Sequence, residues 1–267
     1  LYVEISAIIE ENDYLIFAIP SAFLHQTLNN INPEIFKNKF IISAIKGVIP
    51  ETHQVLGDYF NTEWNIPFNN IAAIAGPCHA EEVALEKLSY LTIASENQTL
   101  AKKMEILLHN RFINITLCDD LRGAEFSSVL KNVYAIASGI CHGLGYGDNF
   151  QAVLISGCLK EMGFLMDKIA PMNRNIAQHV YLGDLLVTAY SQFSRNRSFG
   201  TMIGKGYSVK SAQLEMNMIA EGYYATKSMF EIVKDLHIDM PILETVYRII
   251  YEKKPASIEI RKLAEAL

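Results

Sequence analysis

The feature that most constrains the fold is a change of pattern at Asp119-Asp120. Before it, short β-rich apolar runs alternate with stretches of helical periodicity; after it, the β-rich runs stop. Alternation of this kind predicts a parallel sheet covered by helices, whereas uninterrupted helical periodicity predicts a separate all-α layer. The spacing places strands at residues 14–19, 40–45, 71–75, 90–94 and 112–117, with helices at 22–28, 52–59, 80–85 and 98–108. Downstream it places helices at 122–142, 149–169, 184–190, 197–204, 208–214, 221–236, 241–252 and 256–266. Two domains are expected, at 1–120 and 121–267. The run Phe40-Ile-Ile-Ser-Ala-Ile45 is apolar on both faces, as a strand buried within a parallel sheet must be.

In sheets of this type, ligands bind beyond the carboxyl ends of the strands. Three strand ends carry turn chemistry there: Pro20-Ser21, Lys46-Gly47 and Gly76-Pro77. Lys46 is either a solvated loop lysine or a charge set into that crevice. The segment Gly76-Pro-Cys-His-Ala80 opens a helix with Glu81 and Glu82 in its first turn. It is either plain capping or an amide cradle for an anion.

In the helical half, Lys131-Asn132 interrupts the apolar helix expected over 126–140. An unpaired buried ammonium costs several kcal/mol in practice. Lys131 therefore either snorkels to solvent or faces a site. Asp184 follows Gly183 at a helix start, where an acid reads as an N-cap. Ser194-Arg195-Asn196-Arg197 precedes a helical run and offers a phosphate clamp, or else a solvated basic loop. Glu221-Gly222 opens another helix, where an acid can cap or reach a hydroxyl.

Several function classes are disfavoured. A net charge of −6 opposes nucleic acid as a general partner while permitting a local cationic pocket. The apolar runs are strand-sized, so no membrane span is expected. Cys78, Cys118, Cys141 and Cys158 form no C-x-x-C pair, which predicts a reduced, cytoplasmic chain. The Cys78-His79 and Cys141-His142 dipeptides lack zinc-ligand spacing, and no metal is expected. The cluster Gly143-x-Gly145-x-Gly147 follows a helix rather than a strand, so it reads as an interhelical turn and not a nucleotide fingerprint. A glycine fingerprint, where one exists, is expected in a segment preceding Leu1.

Taken in order, Ile45-Lys46-Gly47, Gly76-Pro-x-x-Ala80, Leu130-Lys-Asn-Val133, Gly145-Tyr-Gly-Asp-Asn149, Leu182-Gly-Asp-Leu185 and Phe193-Ser-Arg-Asn-Arg197 resemble the bacterial-type NAD(P)-dependent glycerol-3-phosphate dehydrogenases. The resemblance runs from Asp13 to the C-terminus. It implies an α/β Rossmann-like N-terminal domain, its first βα unit missing here, and an all-α C-terminal domain. It also implies that Lys131 is the proton acceptor and that Lys46, Gly76, Cys78, Asp184, Ser194, Arg195 and Asn196 line the substrate. Lys46, Ala80, Arg195, Ile219 and Glu221 would lie near NAD or NADP. The implied reaction is reversible reduction of dihydroxyacetone phosphate to sn-glycerol 3-phosphate, for phospholipid precursor supply, with a small phosphorylated substrate and a possible homodimer. Much of the family has serine where this chain has Cys78, and a thiol is the weaker donor. The alternatives are a β-hydroxyacid dehydrogenase of related fold and a non-catalytic nucleotide-binding module.

Overall fold

A computed structural model describes residues 4–216 and 220–267. The chain forms two compact units, Leu1–Glu125 and Phe126–Leu267.

The first unit is built on a five-stranded sheet in the order β1 (Tyr14–Phe17), β2 (Phe40–Ser43), β3 (Ile71–Ala75), β4 (Ser89–Ala94) and β5 (Ile113–Cys118). β1, β2 and β3 are parallel, and β4 and β5 are parallel, but β4 runs antiparallel to β3. The all-parallel sheet expected from the alternating pattern is thus corrected to a mixed one. The physical reason lies in the connection: Gly76 to Leu88 holds only α4 (Ala80–Ala84), five residues long. A parallel crossover needs an element able to traverse the whole sheet, whereas an antiparallel return does not.

Helices cover both faces of this sheet. α5 (Gln98–Leu108) packs Leu100, Ala101 and Met104 against Ile42, Ala72 and Ile93. Elsewhere in the unit, α2 (Ser21–Leu28) and α3 (Leu56–Trp64) bury Leu24, Leu28, Tyr59 and Phe60. Phe60 there meets the rings of Phe17, Phe36 and Trp64 at 5.0–6.2 Å between centroids. α3 starts at Leu56 rather than near residue 52, because His53 has φ +54 and Ile49 bridges Gln54 in a tight turn. A short α1 (Ile5–Glu11) precedes the sheet.

The second unit is helical among its described residues. α6 (Leu121–Gly143) and α7 (Asp148–Ile169) are its long members, joined by a turn with Gly145 at φ +88. Then follow a π-helical turn (His179–Gly183), α8 (Asp184–Tyr190), α9 (Arg195–Gly204) and α10 (Val209–Glu215). α11 (Glu221–Asp235), α12 (Pro241–Ile250) and α13 (Ala256–Ala266) complete it.

From Val129 to Cys141 every residue of α6 is buried, so this helix is the unit's core rather than an amphipathic cover. Its glycines set how closely α9 approaches. A Cβ on Gly139 would lie 2.1 Å from Arg197 O, and one on Gly200 would lie 2.2 Å from Ile136 O. The α6 and α9 backbones touch directly.

Candidate active site

The sheet's one-directional half places Ser21, Lys46 and Gly76 beyond the carboxyl ends of β1, β2 and β3. Lys46 is half-buried and donates from Nζ to Gly76 O at 3.3 Å, so two of the expected site residues meet within the first unit. Gly76 adopts φ +97, and a Cβ there would stand 3.1 Å from Tyr90 O and 3.2 Å from Thr92 N. Only glycine fits, and it leaves the strand end bare of side chain. Cys78 follows, half-buried, and Ala80 is the exposed first residue of α4. His79 occupies the N-cap position without a side-chain cap bond, while Glu81 and Glu82 lie in the first turn, where acids are favourable.

The second unit holds a denser constellation. Lys131 on α6 is 6% exposed and Asp184, the first residue of α8, is 1% exposed. Lys131 Nζ donates to Asp184 Oδ1 in a short, charge-assisted hydrogen bond. Lys131 therefore does not snorkel, and Asp184, expected as an N-cap acid, turns its carboxylate to the ammonium instead of capping α8. The π-helical turn ahead of α8 widens the backbone before Asp184 and delivers it at that depth. Thr188 Oγ1 donates to Asp184 O at 2.6 Å, and Ser127 Oγ donates to Val180 O at 3.4 Å.

Next to this pair runs an amide relay. Asn196 Nδ2 donates to Asn132 Oδ1 at 2.9 Å, and Gly222 N donates to Asn196 Oδ1 at 2.9 Å. Asn132 is adjacent to Lys131, and Gly222 lies in the first turn of α11, one residue past Glu221. Ser194 caps α9, its Oγ accepting from Arg197 N at 3.3 Å. Arg195 is therefore the first residue of the helix, not part of a loop before it, and is exposed. Ile219 lies outside the described residues.

Sequence reading missed the role of Asn132, which closes the relay from α6, and of Thr188 and Ser127, which hold the Asp184 segment. The adjacency of Asn132 to Lys131 was the available signal for the first. The other two are hydroxyls on helical faces, which carry no signature of their own.

Two further buried acids shape the units. Glu125 accepts from Gly57 N with both carboxylate oxygens, at 3.0 and 3.2 Å. Burial raises it to about 8, against the lowering effect of the Gly57 hydrogen bond. In the second unit Glu161 accepts from Ile242 N and Leu243 N at the start of α12 and from Tyr134 Oη. Burial raises it to about 7. The thiol of Cys141 is pushed by burial to about 12, so it is not a ready nucleophile. Among the described residues no group of three or more His, Cys, Asp or Glu side chains is arranged to hold a metal ion. Nor is any described helix long and apolar enough to cross a membrane.

An α/β unit of Rossmann-like type followed by a helical unit with a buried lysine–carboxylate pair is the build of a two-domain dehydrogenase. Family models agree: that of the NAD-dependent glycerol-3-phosphate dehydrogenase N-terminus matches residues 1–101 and that of its C-terminus residues 120–261. The NAD(P)+ glycerol-3-phosphate dehydrogenase of Clostridium botulinum is 34% identical over 254 residues, covering 95% of this chain and 76% of the relative. The crystal structure of glycerol-3-phosphate dehydrogenase from Coxiella burnetii superposes with a TM-score of 0.92 at 30% identity, over 99% of this chain and 80% of that one. A 2-dehydropantoate 2-reductase-like structure from Enterococcus faecalis has a TM-score of 0.52 at 13% identity, over 94% of this chain and 78% of that one, which is a likeness of fold alone. The chain belongs to the NAD-dependent glycerol-3-phosphate dehydrogenase family.

Proposed function

We propose that this chain catalyses the reversible NAD(P)H-dependent reduction of dihydroxyacetone phosphate to sn-glycerol 3-phosphate, supplying a phospholipid precursor. The observation that carries the reading is the buried Lys131–Asp184 pair, an ammonium held at depth with its charge balanced and one direction fixed. When bound, the nicotinamide supplies the hydride donor or acceptor. In reduction, Lys131 gives a proton to the oxygen of the C2 carbonyl as that oxygen becomes a hydroxyl; in oxidation it takes the proton back. Asp184 orients the amine so that its remaining hydrogens point where a substrate oxygen can meet them.

Arg195 presents a planar fork to the substrate phosphate from the first position of α9, where the helix dipole also favours an anion. Ser194 and Asn196 flank it. Asn196 spends one amide hydrogen on Asn132, leaving the other for the substrate. Lys46, Gly76 and Cys78 are assigned to the substrate as well, with the Cys78 backbone N–H the better donor than its thiol. Lys46, Ala80, Arg195, Ile219 and Glu221 are assigned to the dinucleotide. The bare backbone at Gly76, where any Cβ would clash with β4, fits the close approach of such a ligand.

A homodimer and a cytoplasmic location belong to the same reading; sedimentation of the purified chain tests the first. The reaction is tested by incubating the chain with dihydroxyacetone phosphate and either NADH or NADPH while following nicotinamide absorbance. Phosphate-dependent consumption that falls by roughly 10²–10⁴-fold in Lys131→Ala is expected. Absence of turnover with both cofactors by a folded chain overturns the assignment.

A further inference from the structure

Away from every residue assigned above, the helical unit has a cleft of about 410 Å³. It lies between the α9–α10 connection and the α12–α13 connection, lined on one side by Ile203, Tyr207 and Lys210 and on the other by Ile249, Lys253 and Lys254. Ile203 and Ile249 are 7% and 3% exposed and form an aliphatic floor, whereas Tyr207 is 48% exposed and offers an aromatic face. The three lysines are exposed, and none makes an ion pair or a side-chain hydrogen bond among the described residues. Lys253 sits at φ +57, in a turn that the Lys254 amide ties to Arg248 O at 3.0 Å, so the backbone beneath two of the cations is fixed. The first turn of α13 starts at the same wall, with Pro255 at the N-cap and no capping side chain, and with Glu259 as the acid of that turn.

Three exposed lysines and an apolar floor thus line one cleft. An anion supplies these lysines with a counter-charge, and an apolar body displaces water from the floor. We propose that this cleft binds a nucleoside phosphate, its base against Tyr207 and the aliphatic floor and its phosphates on Lys210, Lys253 and Lys254. The volume suits a mononucleotide, and the acidic molecule as a whole repels long polyanions. The inference does not rest on the dehydrogenase assignment, since the cleft shares no residue with that site.

The test is calorimetric titration of the full chain with ATP, with tripolyphosphate and adenosine as the two halves of the probe. Binding of ATP in the micromolar to millimolar range is expected, weakening at least about tenfold in the Lys210→Gln/Lys253→Gln/Lys254→Gln variant and several-fold in Tyr207→Ala. All four side chains are exposed, so these variants keep the fold, and an unchanged melting temperature verifies it. Arg195→Lys serves as a control for ATP occupying the dinucleotide region, and is expected to leave this affinity unchanged. No binding, binding indifferent to the triple variant, loss in Arg195→Lys alone, or tripolyphosphate binding as tightly as ATP each overturns the proposal.

Discussion

A buried ammonium and a buried carboxylate support each other, and removing either leaves the other desolvated and unpaired. Lys131→Ala is therefore expected to lower turnover by roughly 10²–10⁴-fold, the range of general acid–base catalysis, and to cost stability as well, on the order of 3–5 kcal/mol. The two losses separate in a paired replacement, Lys131→Met with Asp184→Leu. Stability measured by urea unfolding should then recover while turnover does not. If turnover persists in either variant, Lys131 has no part in the proton transfer. Arg195→Lys keeps the charge and changes the fork to a point, so KM for dihydroxyacetone phosphate should rise by about 1.5–3 kcal/mol equivalent. An analogue lacking the phosphate should show little change, and steady-state kinetics with both substrates checks the difference. At this scale the sequence was partly legible. Lys131 and Asp184 stood out as charges in apolar or helix-initiating contexts, but their pairing across 53 positions was not visible. Asn132 was singled out beside Lys131 but given no role of its own, because an amide's partner 64 positions away leaves no local trace.

At the scale of elements, the contact between α6 and α9 decides whether Ser194, Arg195 and Asn196 sit near Lys131 and Asn132 at all. That contact is backbone on backbone at Gly139, Gly143, Gly200 and Gly204. Gly200→Ala places a methyl 2.2 Å from Ile136 O, with no flexible side chain to yield. The helices must separate, costing about 1–3 kcal/mol as overpacking does. Asn196 then loses its reach to Asn132. Both a lower melting temperature and a raised KM are expected, whereas an alanine at Gly147, which sits at φ −82 with nothing within 4 Å of its Cβ, tests the specificity of the effect. Helix spans downstream of residue 120 were readable because apolar spacing and glycine or proline breaks are local signals. The reversal of β4 was not, since strand direction depends on how a connection crosses the sheet, and the short helix expected at 80–85 carries no local mark of the direction in which the next strand returns.

At the scale of the whole molecule, each unit hides one acid whose folded form prefers its proton. Glu125 stands at about 8 in the first and Glu161 at about 7 in the second, both raised by burial from an unfolded value near 4.5. The folded chain then binds more protons than the unfolded chain between those values, so stability falls as pH rises. The contribution is fully present below about 4.5 and lost by about 7 for Glu161 and about 8 for Glu125. Thermal melts from pH 5 to pH 8.5 should show that decline. Glu161→Gln should flatten the portion below about 7, and Glu125→Gln the portion that extends to about 8. A slope unchanged by both substitutions would assign the effect to other groups. The two-part layout was legible from the change of pattern at Asp119-Asp120, while these acids were not, because burial is a property of the packed unit.

The complete enclosure of α6 between Val129 and Cys141 has a consequence for how this chain can vary. α12 alternates buried with half-buried positions and α13 buried with exposed ones, so a saturation library scored for folded protein should show tolerance rising and falling there with helical phase. Along α6 no such rhythm is available. Each position has a neighbour on every side, so polar, bulky and β-branched replacements should be rejected in one unbroken block of thirteen codons, Lys131 included. A drifting copy of this gene would hold that block nearly fixed while its outer helices diverged.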